Sequence, residues 1–316
     1  MATLPASGVI SISDINAEFA LGNNLNAYRS TTWYTDAGGS GTFSAGAISM
    51  SDFYSKRKTS PVFNISFSGG TTYTDVNLRT WAISMGWNQV SLLNVTLPGT
   101  SIIRSSSTSI PALTINGSFP NGVTFTNTGG WVVGKGGMGG KIGYNAATAG
   151  GTALSVSSAC TIYNTGTIGG GGGGGGANGD FGSPFGWIGG GGGAGYGEMG
   201  WSTYWNPPGY GGYWVYPAGG GTQYGTHNAR SPVSSWTTNF PYVGPTYAAK
   251  PLAGSGGSLG AAGTASQNAY LLASDKYGSS YTPIGGSLAG AAGGAAVAGN
   301  ANITWGATGT RLGAIT

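Results

Sequence analysis

Few side chains in this sequence suit acid–base or metal chemistry. The chain has one histidine, His227, and one cysteine, Cys160. His227 has no second histidine or carboxylate at metal-ligand spacing, and Cys160, with no partner for an intrachain disulfide, fits a small buried strand residue. Asp180 and Glu198 are candidates for a glycosidase carboxylate pair, but no local pattern supports the pair. We therefore predict that the protein is not an enzyme and holds no metal and no cofactor.

Aromatic side chains offer a different chemistry, that of surface recognition. They are concentrated between residues 181 and 247 among Gly and Pro, with neither a strand period nor a helix period, which indicates loops. Rigid Tyr and Trp rings anchor many binding loops, although such rings could equally cover the faces of a scaffold. The segment is almost uncharged, which favours a sugar face or a protein loop over a polyanion. The recognition candidates are Trp187, Tyr196, Trp201, Tyr204, Trp205, Tyr210, Tyr213, Trp214, Tyr216, Tyr224 and Trp236.

The composition requires an unusual scaffold to carry these loops. Glycine accounts for 65 of 316 residues and charged residues for 6%, whereas soluble domains average about 7% glycine and about 25% charge. A hydrophobic content of 39% with many aromatics argues against disorder throughout. Because the cations form no stripe and no apolar run reaches the length of a membrane span, neither nucleic-acid binding nor membrane insertion is expected. Residues 1–5 do not resemble a secretory signal.

Glycine tracts recur along the second half of the chain. Flexible linkers would separate domains instead of recurring at such short intervals, and no Lys-Ser or Lys-Thr follows the tracts to form a phosphate loop. The remaining interpretation is polyglycine II, an extended helix with three residues per turn whose backbone groups pair with neighbouring helices. The predicted scaffold glycines are Gly134, Gly136, Gly137, Gly139, Gly140, Gly169, Gly170, Gly171, Gly172, Gly173, Gly174, Gly175, Gly176, Gly189, Gly190, Gly191, Gly192 and Gly193.

An internal echo marks the first 60 residues. The hexapeptide at 10–15 returns in similar form at 48–53, and in both copies a Ser-Asp pair suits the start of a helix. We predict a helix from Asp14 to about Leu21 and a helical turn at Asp52–Tyr54. Few apolar residues remain for a core, so this unit is expected to dock on a partner. The docking candidates are Ile12, Asp14, Ile15, Phe19, Ile48, Asp52, Phe53 and Tyr54.

The rest of the chain is predicted to be mostly β and irregular, with very little α-helix. Between 61 and 115, short apolar stretches separated by Gly69-Gly70 and Pro98-Gly99 predict a small antiparallel sheet; Trp81–Trp87 fits a strand or a helical turn. Further on, Thr124–Trp131 resembles Thr161–Ile168, and such repetition indicates a structural period. The predicted parts are an attachment module at 1–60, a small β domain at 61–115, and a polyglycine II bundle at 116–316 with loops at about 177–253.

Two features carry a resemblance to a known family. The tract-and-loop half, in which Tyr163–Ile168 leads into eight glycines, resembles the distal adhesins of long tail fibres in T-even-like bacteriophages. The segments at 10–15 and 48–54 resemble N-terminal units of phage tail-fibre proteins. The resemblance implies a polyglycine II sandwich whose variable loops bind an outer-membrane protein or a surface glycan, and an N-terminus attached to other tail or fibre proteins. It also implies a location in the virion after synthesis in the host cytoplasm.

Two other functions remain open from the sequence. The protein could be a purely structural fibre component whose aromatic loops are buried against another virion protein. Polyglycine II bundles can also present flat faces to ice, although regular ranks of Thr or Ala would then be expected. The chain is expected to act either as a homotrimer or as a single cap on a trimeric fibre.

Overall fold

The computed structural model describes residues 3–140, 146–176, 193, 254, 256–265 and 289–316, together with the backbone of four strands between residues 236 and 283. These residues contain two α-helices, α1 (Ile12–Phe19) and α2 (Leu78–Ser84). They also contain short 3-10 helices at Leu25–Tyr28, Met50–Phe53 and Asn300–Asn302. Most of the remaining regular structure is β-strand, which confirms the prediction of a mostly β protein with little helix. No helix in the described ranges has the length and apolar character needed to cross a bilayer.

Helix α1 begins at a capping box. The Asp14 backbone N–H donates to the Ser11 hydroxyl, and the Ser11 N–H donates to the Asp14 carboxylate at 2.8 Å, so two N–H groups at the start of the helix are paired. The same arrangement recurs at Ser49, whose N–H donates to the Asp52 carboxylate at 2.7 Å. The predicted helix starts are therefore present, but the cap is the first serine of each Ser-x-Ser-Asp. Helix α1 consequently begins at Ile12 and ends at Phe19, two residues earlier at each end than predicted.

The first 60 residues have a core of their own. A short antiparallel hairpin, β1 (Thr32–Tyr34) and β2 (Ser40–Thr42), lies beside the helices. Aromatic rings fill the space, with centroid distances between 4.3 and 6.0 Å among four of them. The expectation that too few apolar residues remain for a core was wrong, because each buried ring supplies a large apolar area. The buried residues of this core are Leu4, Ile15, Phe19, Tyr28, Phe43 and Phe53.

From Val62 onward the chain winds into a parallel β-helix in which each turn passes through three sheets. The first sheet contains β3 (Val62–Ser66), β6 (Leu92–Pro98), β9 (Val123–Thr128), β12 (Cys160–Asn164) and β19 (Ile303–Ala307). The second contains β4 (Thr72–Thr74), β7 (Ile102–Arg104), β10 (Trp131–Val133), β13 (Thr167–Gly169) and β20 (Thr310–Leu312). The third contains β5 (Val76–Asn77), β8 (Leu113–Ile115), β11 (Leu154–Val156) and β18 (Val297–Ala298). Every pairing within these three sheets is parallel.

The core of the β-helix lies between the three sheets. In β6 the inward residues Leu93, Val95 and Leu97 are buried and alternate with outward residues that are half-buried. Burial of each such side chain contributes about 1.5–3 kcal/mol relative to its exposed state. Helix α2 packs beside this core, where the Trp81 ring stacks on Phe67 with a centroid distance of 3.8 Å. The sequence did not decide whether Trp81–Trp87 is a strand or a helical turn. In the structure, this segment is the second half of α2 followed by a turn.

The prediction of an antiparallel sheet at 61–115 was wrong. Strands occur at the predicted places, but Val62 pairs with Leu92 and Thr72 pairs with Ile102, both in parallel. Gly69-Gly70 and Pro98-Gly99 lie at the corners where the chain passes from the first sheet to the second, instead of reversing the chain in a hairpin. Inward–outward alternation is the same in both kinds of sheet, so the local pattern could not distinguish them.

The boundary predicted at 115/116 falls inside the β-helix. Strands from both sides share all three sheets, and one cluster of buried residues extends from Phe67 to Val297. A separate antiparallel sheet is formed by the backbones of β14 (Trp236–Thr238), β15 (Thr246–Lys250), β16 (Tyr270–Asp275) and β17 (Gly278–Pro283). Its strands belong to a long excursion of the chain between β13 and β18.

Candidate functional site

Two adjacent strands of the second sheet continue without interruption into glycine. Strand β10 continues as 134–140, and β13 continues as the run of eight glycines at 169–176. The parallel pairing continues past the sheet with a repeat of three residues. In this row the N–H groups of Gly134, Gly137 and Gly140 donate to the carbonyl oxygens of Gly169, Gly172 and Gly175 at 2.8–2.9 Å.

The segment 169–176 is the centre of what we call the glycine bundle. Its N–H groups point to different neighbours in succession, and each neighbour is met again three residues later. Gly171 and Gly174 donate to the carbonyl oxygens of Gly151 and Thr148, while Gly173 and Gly176 donate to those of Ala261 and Thr264. Its carbonyl oxygens accept hydrogen bonds at the same three-residue spacing. Those of Gly173 and Gly176 accept from the N–H groups of Gly257 and Gly254, and those of Gly171 and Gly174 accept from the N–H groups of Gly294 and Ala291. The bundle consists of the segments 134–140, 148–151, 169–176, 256–264 and 289–294, with Gly193 and Gly254.

Side chains are excluded from the middle of the bundle by the neighbouring backbones. All residues from Gly169 to Gly176 are buried. A Cβ atom at Gly171 would overlap the carbonyl oxygen of Lys135, and one at Gly173 would overlap that of Ala291. Only glycine fits where backbones approach so closely. In the peripheral segment 134–140, by contrast, the glycines are buried and the intervening Lys135 and Met138 are half-buried, so one position in three faces outward.

The bundle has a far end, away from the β-helix. Gly169 is part of the second sheet, and Gly176 lies at the other end of the central segment. The N–H of Gly140 donates to Gly175, that of Gly176 donates to Thr264, and that of Gly254 donates to Gly176. The segment 177–253 therefore leaves and returns at this far end, and its single described residue outside strands, Gly193, donates from its N–H to the carbonyl of Gly137.

The predicted scaffold glycines are placed as follows. Those at 134–140 and 169–176 are buried in the bundle, and so is Gly193. Gly189, Gly190, Gly191 and Gly192 lie outside the described residues. The bundle also uses residues that sequence reasoning missed, above all Thr148, whose hydroxyl accepts from the Met138 N–H at 2.7 Å. The nearby pair Gly150-Gly151 is the feature of the sequence from which this segment of the bundle could have been predicted.

All of the aromatic recognition candidates lie in the segment 177–253, of which little is described. For Trp236 only the backbone is described, in β14. The other ten lie outside the described residues: Trp187, Tyr196, Trp201, Tyr204, Trp205, Tyr210, Tyr213, Trp214, Tyr216 and Tyr224. His227, Asp180 and Glu198 lie outside them as well. In the described part of the chain no group of three or more His, Cys, Asp and Glu residues is arranged to hold a metal ion.

The docking candidates of the N-terminal unit have mainly structural positions. Ile15, Phe19 and Phe53 are fully buried in the core of the unit, and Ile12 and Ile48 pack against it. Asp14 and Asp52 form the two capping boxes, and Tyr54 donates from its hydroxyl to the carbonyl of Gly8. Among the described residues of this unit, the large apolar side chains that are exposed are Val9 and Leu21, at 96% and 41% exposure.

Cys160 is the buried strand residue that its neighbours predicted. It opens β12 and is 6% exposed. Burial raises the pKa of its thiol to about 11. At neutral pH it is therefore uncharged and unsuited to act as a nucleophile or a metal ligand.

A family model described as phage tail fibre adhesin Gp38 matches residues 62–316. Among solved structures, the chain resembles one in the crystal structure of the gp37–gp38 adhesin tip complex of the bacteriophage S16 long tail fiber. The TM-score is 0.49 and the sequence identity 23%, over 85% of this chain and 87% of that one. No curated protein sequence matches significantly.

Proposed function

The chain belongs to the phage tail fibre adhesin Gp38 family, and we propose that its glycine bundle holds aromatic loops against a receptor on the bacterial surface. Membership makes it a structural and binding protein of a phage tail fibre, not an enzyme. Recognition itself is assigned to residues 177–253, which contain all eleven aromatic candidates.

We further propose that the bundle is polyglycine II. A helix with three residues per turn directs its N–H groups to a given neighbour at every third residue. Gly134, Gly137 and Gly140 have this spacing toward Gly169, Gly172 and Gly175. Two further observations support the same geometry. Every glycine of the central segment 169–176 is buried, and in the peripheral segment 134–140 one residue in three faces outward.

The observation that carries the recognition proposal is the hydrogen bond from Gly254 to Gly176, at 2.9 Å. It joins the two ends of 177–253 at the far end of the bundle. A long excursion whose ends are fixed on one rigid base is the arrangement in which loops bind ligands while a scaffold positions them. Tyr and Trp supply large and rigid contact areas in such loops. An outer-membrane protein or a surface glycan fits their low charge.

Adsorption of phage particles tests this assignment. Replacement of Trp205 and Trp214 by Ala should abolish adsorption to the host while the adhesin is still incorporated, because truncated aromatic anchors commonly cost 2 kcal/mol or more, about thirtyfold in affinity. Met85→Ala, which removes an exposed apolar side chain from the end of α2, is the matched control and should adsorb normally. Normal adsorption of the double Trp variant would instead favour the structural alternative, in which the aromatic loops are buried against another virion protein.

Attachment to the fibre is assigned to residues 1–60. The unit has its own core and two equivalent capping boxes, and its exposed Val9 and Leu21 offer apolar contacts to another tail or fibre protein. Val9→Asp with Leu21→Asp should reduce the amount of adhesin on purified particles. Val62→Asp, at a similarly exposed apolar residue of β3, should leave that amount unchanged. The ratio of adhesin to fibre protein on wild-type particles decides between a homotrimer and a single cap.

A further inference from the structure

The outward side chains of the first sheet form a regular grid across the turns of the β-helix. Strands in a sheet lie about 4.8 Å apart, and alternate residues along a strand about 6.6 Å apart. We call the two polar rows of this surface, which do not include the outward Val62, Leu92 and Pro98, the outer grid. Its first row consists of Asn64, Asn94, Thr124, Thr161 and Thr304, and its second row of Ser66, Thr96, Thr126 and Tyr163.

The outer grid is polar but uncharged. None of its positions, all of which the structure describes, carries an acidic or basic side chain, whereas the second sheet carries Arg104. A threonine hydroxyl both donates and accepts hydrogen bonds, and so does an asparagine amide. The hydroxyls of Thr96, Thr124 and Thr126 bond to no protein group within the described residues. These groups are therefore available to an external ligand.

One aromatic ring lies beside the hydroxyls. Tyr163 pairs with Thr126 and is 45% exposed, although most large rings of the β-helix face the core. The register with β19 shifts between Ile162 and Tyr163, and such irregularities redirect side chains. A Cβ atom at Gly306 would overlap the Tyr163 ring, so the absence of a side chain there lets the ring cover the neighbouring strand.

We propose that the outer grid binds a neutral polysaccharide along the side of the β-helix, separately from the receptor recognition proposed for residues 177–253. Repeated hydroxyl and amide groups match the repeated hydroxyls of a sugar polymer, and the Tyr163 ring supplies an apolar surface for the C–H face of a sugar. The lack of cations disfavours an anionic polymer. A protein partner would require a more apolar centre. Strand propensity explains threonine and tyrosine as residue types at these positions, but not the exposure of the Tyr163 ring beside the hydroxyls.

Affinity electrophoresis of the full chain tests the proposal. Native gels containing dextran, mannan or galactan provide the neutral probes, and alginate provides the anionic one. Wild type should be retarded by at least one neutral polysaccharide. Tyr163→Ala and Thr126→Lys, tested as separate variants, should each weaken that binding about tenfold or more. Tyr163→Phe keeps the ring and should bind within a few-fold of wild type.

Ser155→Lys is the matched control, because Ser155 is a half-buried polar residue in the middle of a strand of the third sheet. It should bind like wild type, and circular dichroism confirms the fold of every variant. The proposal is overturned if no neutral polysaccharide retards wild type, if alginate alone does, or if Tyr163→Ala and Thr126→Lys bind normally. The proposal is also overturned if the wild-type protein shows thermal hysteresis and Thr126→Lys abolishes it, because the outer grid would then bind ice. Loss of polysaccharide binding with normal phage adsorption would leave the recognition role of 177–253 intact.

Discussion

The side chains of Asn127 and Asn164 are stacked in adjacent turns of the β-helix, where Nδ2 of Asn127 donates to Oδ1 of Asn164 at 2.8 Å. Both are fully buried. Asn164 in turn donates to the carbonyl oxygen of Thr308 at 2.8 Å, in the last turn. In the turn before, Leu97 holds the equivalent position, so Oδ1 of Asn127 has no hydrogen-bond partner within the described residues. The stack therefore fastens the last three turns to one another and ends at Leu97.

Removal of one member of this stack should be costly. Asn164→Ala removes the hydrogen bond to the Thr308 carbonyl and leaves one buried Asn127 N–H without a partner, and an unpaired buried group costs about 1–3 kcal/mol. The free energy of unfolding from denaturant titration measures the loss. Asn94→Ala breaks the exposed amide pair with Asn64, at 3.0 Å, and should cost less than about 0.5 kcal/mol. Equal effects of the two substitutions would show that the buried stack has no special role.

Glycine in the centre of the bundle should tolerate no side chain. Gly171→Ala places a methyl group against the carbonyl oxygen of Lys135 and should destabilise the bundle by about 1–3 kcal/mol or more. At Gly46 the nearest atom to an added Cβ is the Ser44 hydroxyl oxygen, at 3.5 Å, so Gly46→Ala is the control. Hydrogen exchange should show lost protection of residues 169–176 in the first variant alone. Retained protection in Gly171→Ala would contradict the close packing.

The N-terminal unit should lose stability in acid. Hydrogen bonds from Ser11 lower the pKa of Asp14, and those from Thr3 and Arg57 lower the pKa of Asp36, from an ordinary value of 3.8. A carboxyl whose pKa is lowered on folding stabilises the folded state above its unfolded pKa. That stabilisation is lost as the pH falls through the folded value. The protection of α1 amides from hydrogen exchange, relative to their intrinsic exchange rate at each pH, should therefore fall below about pH 4.

The variant that carries both Asp14→Asn and Asp36→Asn serves as the control for acid sensitivity. It should exchange faster than wild type at pH 7, because the favourable interactions of the charged groups are absent at every pH. Its protection from exchange, relative to the intrinsic rate, should then change less than that of wild type on acidification. An acid response as large as that of wild type would assign the effect to other groups.

Cys160 should be inert in the folded protein. With its pKa raised to about 11 by burial, it has almost no thiolate at neutral pH, and only the thiolate reacts with disulfide reagents. Ellman's reagent should label it slowly in the native state and rapidly in guanidinium chloride. Since Cys160 is the single cysteine of the chain, the signal has one source. Rapid labelling of the native protein would mean that β12 opens readily.

Features that depend on a few adjacent residues could be predicted from the sequence. The Ser-Asp pairs at Asp14 and Asp52 marked both helical starts because a capping box needs only four residues. The resemblance of Thr124–Trp131 to Thr161–Ile168 was a visible trace of the β-helix, since the two segments lie on adjacent turns with Thr124 beside Thr161. The glycine tracts at 134–140 and 169–176 were predicted to be a scaffold for the same reason, because a run of glycine is visible in a few adjacent residues.

Features that depend on distant pairing could not be predicted. The path of the chain through the two other sheets decides whether the strand that contains Val62 pairs with its neighbour in parallel or antiparallel. The Gly69-Gly70 pair does not distinguish the two, because it fits a hairpin turn and a corner of the β-helix equally well. Thr148 and Ala291 joined the bundle through backbone carbonyls, which every residue type possesses. The role of the aromatic loops stays a prediction.

The long excursion between β13 and β18 imposes an order on folding. The early turns pair segments close in sequence, but Asn164 meets Thr308 across 144 residues, so the last turn can form only after the bundle has been synthesised. Long-range pairing of this kind is slow. Until it occurs, the backbone of β12 is an open edge, which invites aggregation. Only a chain that has been synthesised through the whole bundle can therefore cover the edge of β12 with its own β19.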